Sequence, residues 1–268
     1  MSVTDPAPAT TNPMRRTARI AGVLYLLTFV SIPTLALYRP VKDHVDTFVL
    51  GAGNETGVLW AALSEIVVGL AGIGTAVVLY PVLKRQSQTA ALGVVVARLL
   101  ETALILVGVS SMLSILALRS DVAGTAGADP ASLGTIGHAL VAVYTSAFLV
   151  SQSLMPVIVD LLLGYLLYRS GLVPRILPMI AFGAAPLLLL SDLAVYFGAY
   201  SNVSGLALVG ALPIAVFELS LGVYLVVKGF RPSSPLMTQP ITGVRMPVPV
   251  PAPRTGDTDV VARGADIS

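Results

Sequence analysis

The stretch VLWAALSEIVVGLAGIGTAVVLY, Val58 to Tyr80, decides the fold. Apart from Ser64, Glu65 and Thr75 it holds only apolar, aromatic and glycine residues. As a helix rising about 1.5 Å per residue it is long enough to cross roughly 30 Å of hydrocarbon. Working outward, Ile20 to Leu37, Ala90 to Leu118, Ile176 to Gly198 and Val203 to Val227 read the same way. Leu133 to Tyr168 stays apolar for longer than one crossing needs, so it either protrudes on one side or breaks into a surface segment and a span. Asp129-Pro130 starts that helix well, with Asp as N-cap and Pro in the first turn, and Pro156 predicts a kink. The fold class is therefore all-α: a polytopic membrane protein, a bundle of six transmembrane helices.

Composition agrees. Hydrophobic residues make up 55% of the 268 and charged residues 11%, too little polar material to cover a soluble globule. Cysteine is absent, which excludes disulfides, thiolate metal sites and a cysteine nucleophile. The basic residues lie in short loops and tails rather than along one helix face, so nucleic acid is not an expected partner; the lipid bilayer is.

Three regions follow. Residues 1–14 are a polar leader without apolar periodicity, read as disordered. Residues 15–231 form the transmembrane domain, and 232–268 a disordered Pro-rich tail in which Pro247, Pro249, Pro251 and Pro253 favour extended polyproline II. A linker is the preferred reading of that tail over a proline-recognition ligand. Arg15, Arg16 and Arg19 before Ile20 also suit a secretory signal, but the near-transmembrane length and five later spans favour a retained first helix.

Flanking charge gives the orientation. Arg15, Arg16, Arg19, Lys84, Arg85, Arg169, Arg175, Lys228 and Arg231 fall on one side; Arg39, Lys42 and Arg119 fall on the other. Both termini are thus expected in the cytoplasm, with the chain in the cytoplasmic (inner) membrane.

Function is to be sought where the apolar spans carry ionisable groups. A carboxylate in hydrocarbon costs roughly 2.5 to 3.5 kcal/mol even on the lenient insertion scale, so Glu65, Glu101, Asp160, Asp192 and Glu218 need partners, protons or a hydrated cavity. Arg98 and Glu101, at i and i+3, can pair locally, with Glu65 or Glu218 as a further partner across the bundle. At about 100° per residue, Thr135, His138, Thr145, Ser146, Gln152, Ser153, Pro156, Asp160 and Gly164 share one stripe of the fourth helix, a hydrated path from His138 to Asp160 or a set of interhelical hydrogen bonds. Asp192, near the end of its span, is the least diagnostic acid. Glu65 and Gly69, Asp160 and Gly164, and Glu218 and Gly222 repeat the form acid-x-x-x-Gly. The candidate proton- or solute-binding residues are Glu65, Arg98, Glu101, Asp160, Glu218, Gln152 and His138.

No His-Glu-x-x-His, Gly-x-Ser-x-Gly or Walker pattern occurs, no short metal-ligand motif joins His138 to the acids, and no cofactor is expected. Catalytic and metal residues are therefore not assigned. Three readings stay open: a small-solute or proton-coupled permease-like protein, a non-transporting scaffold or sensor with structural polar residues, and, least favoured, an intramembrane enzyme acting on a lipid-soluble substrate.

Four stretches, Gly72 to Arg85 (GIGTAVVLYPVLKR), Ala91 to Gly108 (ALGVVVARLLETALILVG), Leu161 to Arg175 (LLLGYLLYRSGLVPR) and Phe217 to Phe230 (FELSLGVYLVVKGF), resemble the bacterial integral-membrane proteins grouped as the domain of unknown function family 4386. The resemblance covers about Arg16 to Phe230. It implies a six-helix bacterial inner-membrane protein and draws attention to Glu65, Arg98, Glu101 and Glu218; it implies no activity.

Overall fold

The computed structural model describes residues 13–122, 129–202 and 204–238. All described elements are helical, and six are long and apolar enough to cross a membrane. They are span 1 (Pro13–Asp43), span 2 (Glu55–Leu83), span 3 (Gln88–Asp121), span 4 (Pro130–Ser170), span 5 (Ile176–Tyr196) and span 6 (Gly205–Val227). The chain is a multi-pass membrane protein. Each span packs on its neighbours in sequence, and span 6 closes on span 1, so the six form a ring. Outward faces carry apolar side chains such as Leu70, Val96, Leu190 and Val223, the surface a helix presents to lipid.

Local chemistry sets the helix ends. Asn54 caps span 2 by accepting from the Gly57 amide, and Ser204 caps span 6 by accepting from the Ala207 amide. Asp129 caps span 4 as its sequence predicts: its carboxylate accepts from the Ala131 and Ser132 amides and the Ser132 hydroxyl, which hold the carboxyl below the usual aspartate range. Span 4 ends at Gly171, whose φ of 64° is the left-handed conformation that glycine adopts without a Cβ penalty.

Two spans depart from a plain α-helix. Span 1 starts at Pro13, earlier than Ile20, and ends later than Leu37 because 3₁₀ turns at Thr28–Val30 and Leu35–Tyr38 carry it on. Span 4 is continuous and resolves the choice between protrusion and breakage. At 41 residues it runs for about 60 Å at 1.5 Å per residue, so one end extends past the hydrocarbon. A π-helical segment, Leu149–Leu154, lies just before Pro156. The proline ring clashes with the carbonyl four residues back, at Gln152, and the wider π-turn relieves it.

Among the described residues, two large apolar clusters and two small ones fill the ring. One large cluster surrounds Tyr25, Leu79, Leu163, Phe217 and Leu225. The other, under the short helix Val45–Val49, holds Tyr38, Phe48, Met112 and Tyr144. Arg119 binds the carbonyls of Phe48, Gly51 and Ala52, and Glu55, fastening that short helix to span 3.

Both expected tail boundaries differ from the described structure. Helix begins at Pro13, and Met14 packs against the first cluster. Beyond Arg231, Ser234 donates to the Ser170 carbonyl at 2.7 Å and Leu236, in the short helix Pro235–Thr238, is buried in the same cluster. Leu236 has the apolar surface to dock, and the Gly171 turn presents carbonyls that take its neighbours' donors. Residues 1–12 and 239–268, the bulk of the expected tails, lie outside the described residues.

Candidate functional site

Between the two large clusters lies a polar layer centred on Arg98 of span 3. The side chain is buried, and its donors leave in two directions. One terminal nitrogen donates to both Glu101 oxygens at 2.9 Å, one turn along the same helix. The other donates to Glu218 of span 6 at 3.1 Å and to the Tyr25 hydroxyl of span 1 at 3.3 Å. The guanidinium lies 5.6 Å from the centre of the Tyr25 ring. One fixed cation thus joins spans 1, 3 and 6, and Glu218 rather than Glu65 is its partner across the bundle.

Glu65 belongs to a second group. The Gln152 amide donates to it at 2.6 Å and the Tyr144 hydroxyl at 3.3 Å, both from span 4. Tyr38 lies beside the same carboxylate, just outside hydrogen-bond geometry. Tyr38 and Tyr144 meet edge to face with ring centres 5.1 Å apart. Asp160 is fully buried, and neither of its oxygens has a hydrogen-bond partner. It is close enough to Glu218, Arg98 and Glu101 to feel their charges. Asp192 belongs to span 5. It is buried, one oxygen accepts the Ser153 hydroxyl, and the other has no partner.

A cavity of about 420 Å³ opens onto this layer. Arg98, Glu101, Glu218, Asp192, Gln152 and Ser153 supply its polar wall. From there it runs past Thr28 and Phe29 of span 1 and Leu208 and Ala211 of span 6 toward Asn202 and Ser204. Asn202 and Ser204 lie between spans 5 and 6, at the end of the bundle away from Arg15, Arg85 and Arg175. Leu149, Gln152, Ser153 and Pro156 all come from the π-segment and its proline, so the irregularity of span 4 aims the polar side chains of that wall.

Of the seven candidate residues, the cavity brings together Arg98, Glu101, Glu218 and Gln152; Glu65 stands behind Gln152, and Asp160 lies outside the lining. His138 is separate. It is exposed, pairs with Asp46 at 3.1 Å, and is not among the residues that line the cavity. The π-segment holds more residues per turn than an α-helix, so positions before and after it do not share the phase that about 100° per residue assigns. Thr135 and Thr145 return their hydroxyls to their own helix, at Ala131 and Val141. Among the described residues no three His, Asp or Glu side chains converge as a metal-binding group.

Sequence reading passed over Tyr25, Tyr38 and Tyr144. Their signal was a tyrosine inside an apolar run, where the hydroxyl must find a partner. The acid-x-x-x-Gly repeat has a packing explanation. A Cβ on Gly69 would meet Thr102 of span 3 at 2.8 Å, one on Gly164 would meet Ala181 and Phe182 of span 5 at 3.3 Å, and one on Gly222 would meet Leu26 of span 1 at 3.0 Å. Each glycine admits the next helix of the ring.

Comparison with curated proteins and with solved structures gives no match. The family model for a domain of unknown function, DUF4386, matches residues 20–229. That match takes in all six spans and every group of the polar layer, and the chain belongs to the DUF4386 family.

Proposed function

We propose that this protein is a permease-like protein of the cytoplasmic membrane that binds a small solute in the Arg98–Glu101–Glu218 cleft and couples its movement to a proton. The observation that carries this reading is the cavity itself: a space of about 420 Å³, within the range of small-molecule sites, ends on three carboxylates and one guanidinium. Ionisable groups at this depth are costly, and those that only knit helices together have no need of a cavity beside them. In this reading Glu218 is the coupling group, since it both binds Arg98 and faces the cleft, and Asp160 behind it receives the proton. Both termini lie in the cytoplasm. Nine flanking Lys and Arg residues at one end against Arg39, Lys42 and Arg119 at the other support this orientation.

One observation favours a structural role for part of the layer. Glu65 joins spans 2 and 4 through Gln152 and Tyr144 and does not line the cavity, so it serves as a helix joint.

The test is proton movement in proteoliposomes containing an entrapped pH dye, driven by a panel of small cations, anions and neutral solutes. At least one solute should acidify or alkalinise the lumen with wild type and fail to do so with Glu218→Gln. If the whole panel moves no protons, and Glu218→Gln and Asp160→Asn lower thermal stability alone, the acids are structural and the protein is a scaffold.

A further inference from the structure

The cavity has two chemically different halves. Its apolar half is bounded by Phe29, Ile32 and Leu35 of span 1 and by Leu208, Ala211 and Ala215 of span 6. Ile32 and Leu208 line it while remaining 58% and 68% exposed, so the same side chains face the cavity and the lipid side of the ring.

The backbone explains this gap. At Gly22 and Gly222 spans 1 and 6 nearly touch: a Cβ on Gly22 would sit 2.7 Å from the Gly222 carbonyl oxygen. From Thr28 onward span 1 passes through its 3₁₀ turns and packs on span 2, to which the Thr34 and Ser64 hydroxyls, 2.5 Å apart, tie it. The seam between spans 1 and 6 therefore widens on the cavity side of Leu27.

The polar half is rich in acidic residues. Glu101, Glu218 and Asp192 line it against a single cation, Arg98, whose terminal nitrogens already donate to Glu101, Glu218 and Tyr25. Little donor capacity is left there for an anion. Asp192 offers the reverse. It is 6% exposed and lines the cavity; Ser153 serves one oxygen, and the other lacks any donor. A buried carboxylate oxygen without a donor is unfavourable, and a ligand ammonium would supply both the missing hydrogen bond and the missing charge.

We infer that the ligand of this cleft is an amphipathic organic cation, a primary or secondary amine on an apolar chain, which enters from the bilayer between spans 1 and 6 and sets its ammonium on Asp192. The inference rests on the reading of the cleft as a solute site and names the class of that solute.

The full chain in phosphatidylcholine nanodiscs, with empty discs as the partition control, provides the test. Equilibrium binding of octylammonium, octanoate and octanol is compared. Octylammonium should bind saturably at one per protein, and the other two at least about tenfold more weakly, as expected when a charged hydrogen-bond partner is lost. Asp192→Asn should weaken octylammonium by a similar factor. Leu208→Trp, at the lipid-facing edge of the seam, should slow octylammonium association. Equal affinity for the three octyl probes, or octylammonium binding indifferent to Asp192→Asn, overturns the assignment. If Asp192→Asn does not fold, the three-probe comparison on wild type alone decides. Proton movement driven by some other solute would uphold the broader reading while the amine assignment failed; saturable octylammonium binding without proton movement would do the opposite.

Discussion

Replacing Arg98 by Leu removes, among the described residues, the only cation lining a cleft that holds three carboxylates, and the geometry says which of them suffers. Glu101 loses both hydrogen bonds from the guanidinium and is itself buried, with a side chain 9% exposed. Glu218 loses one bond and is more open, its side chain 16% exposed. Breaking a buried ion pair from one side costs about 3 to 5 kcal/mol, because the abandoned charge stays behind in low dielectric. Arg98→Leu should therefore destabilise the bundle by about that amount. Adding Glu101→Gln should restore most of the loss, since it removes the more deeply buried stranded charge, and adding Glu218→Gln should restore less. Glu65→Gln should restore nothing, because Glu65 is served by Gln152 and Tyr144. Thermal unfolding of the purified single and double variants measures all four. Rescue by Glu65→Gln equal to that by Glu101→Gln would refute the assignment of partners, and equal stability of wild type and Arg98→Leu would refute the buried pair altogether.

Gly22→Ala places a methyl against the Gly222 carbonyl and the Val226 backbone, neither of which can rotate away, and should cost about 1 to 3 kcal/mol of overpacking. Gly222→Ala meets the flexible end of Leu26 and should cost less; thermal unfolding would show the order. Ending the chain at Thr238 should leave the melting temperature unchanged. Ending it at Arg231 deletes buried Leu236 and the Ser234 hydrogen bond to Ser170, and should lower stability by about 2 to 3 kcal/mol on the burial of one leucine alone. A Ser233→Cys variant of this cysteine-free chain should react with an impermeant maleimide only after the cells are opened; labelling in intact cells would reverse the orientation. Asp129→Ala should weaken the start of span 4 near neutral pH. The depressed Asp129 carboxyl makes its stabilising effect present above the ordinary aspartate range and lost as the pH falls through its own lower value, so the two proteins should converge in acid, as melting curves at a series of pH values would show.

The spans were legible because the bilayer demands about twenty apolar residues in a row, a constraint written locally in the chain. The Arg98–Glu101 pair was legible for a similar reason, since i and i+3 meet on any helix. Which distant acid completes it was not, because Glu65 and Glu218 have comparable settings in sequence and only the closure of span 6 on span 1 brings Glu218 within 3.1 Å. Asp192 is hard to weigh in sequence because it sits near a helix end, and its hydrogen bond from Ser153 comes through a π-segment that the sequence does not mark. Pro156 signalled a disturbance, yet a kinked α-helix and a π-segment are alternative responses to the same lost hydrogen bond, and neighbouring helices choose between them. The 3₁₀ turns of span 1 have no such marker; they follow from its departure from span 6 toward span 2.

The acid-x-x-x-Gly repeat shows how one packing device yields three chemical outcomes. Residues four apart share a helix face, so a glycine that admits the next helix of the ring forces the acid one turn before it toward the same interior. What the acid meets there depends on the helices opposite. For Glu65 it is Gln152 and Tyr144, which satisfy one oxygen and make a joint between spans. For Glu218 it is Arg98 and an open cavity, which makes a group able to exchange partners. For Asp160 it is no donor at all, only the charges of Arg98, Glu101 and Glu218 nearby. The repeat fixes where each carboxyl must sit, and the donors opposite decide whether it holds the bundle together or acts in the cleft. Asp160 and Glu218 differ in their donors while sharing one charge neighbourhood, so a change in the partner of Glu218 must be felt at Asp160, and the proposed proton coupling through the cleft requires that link.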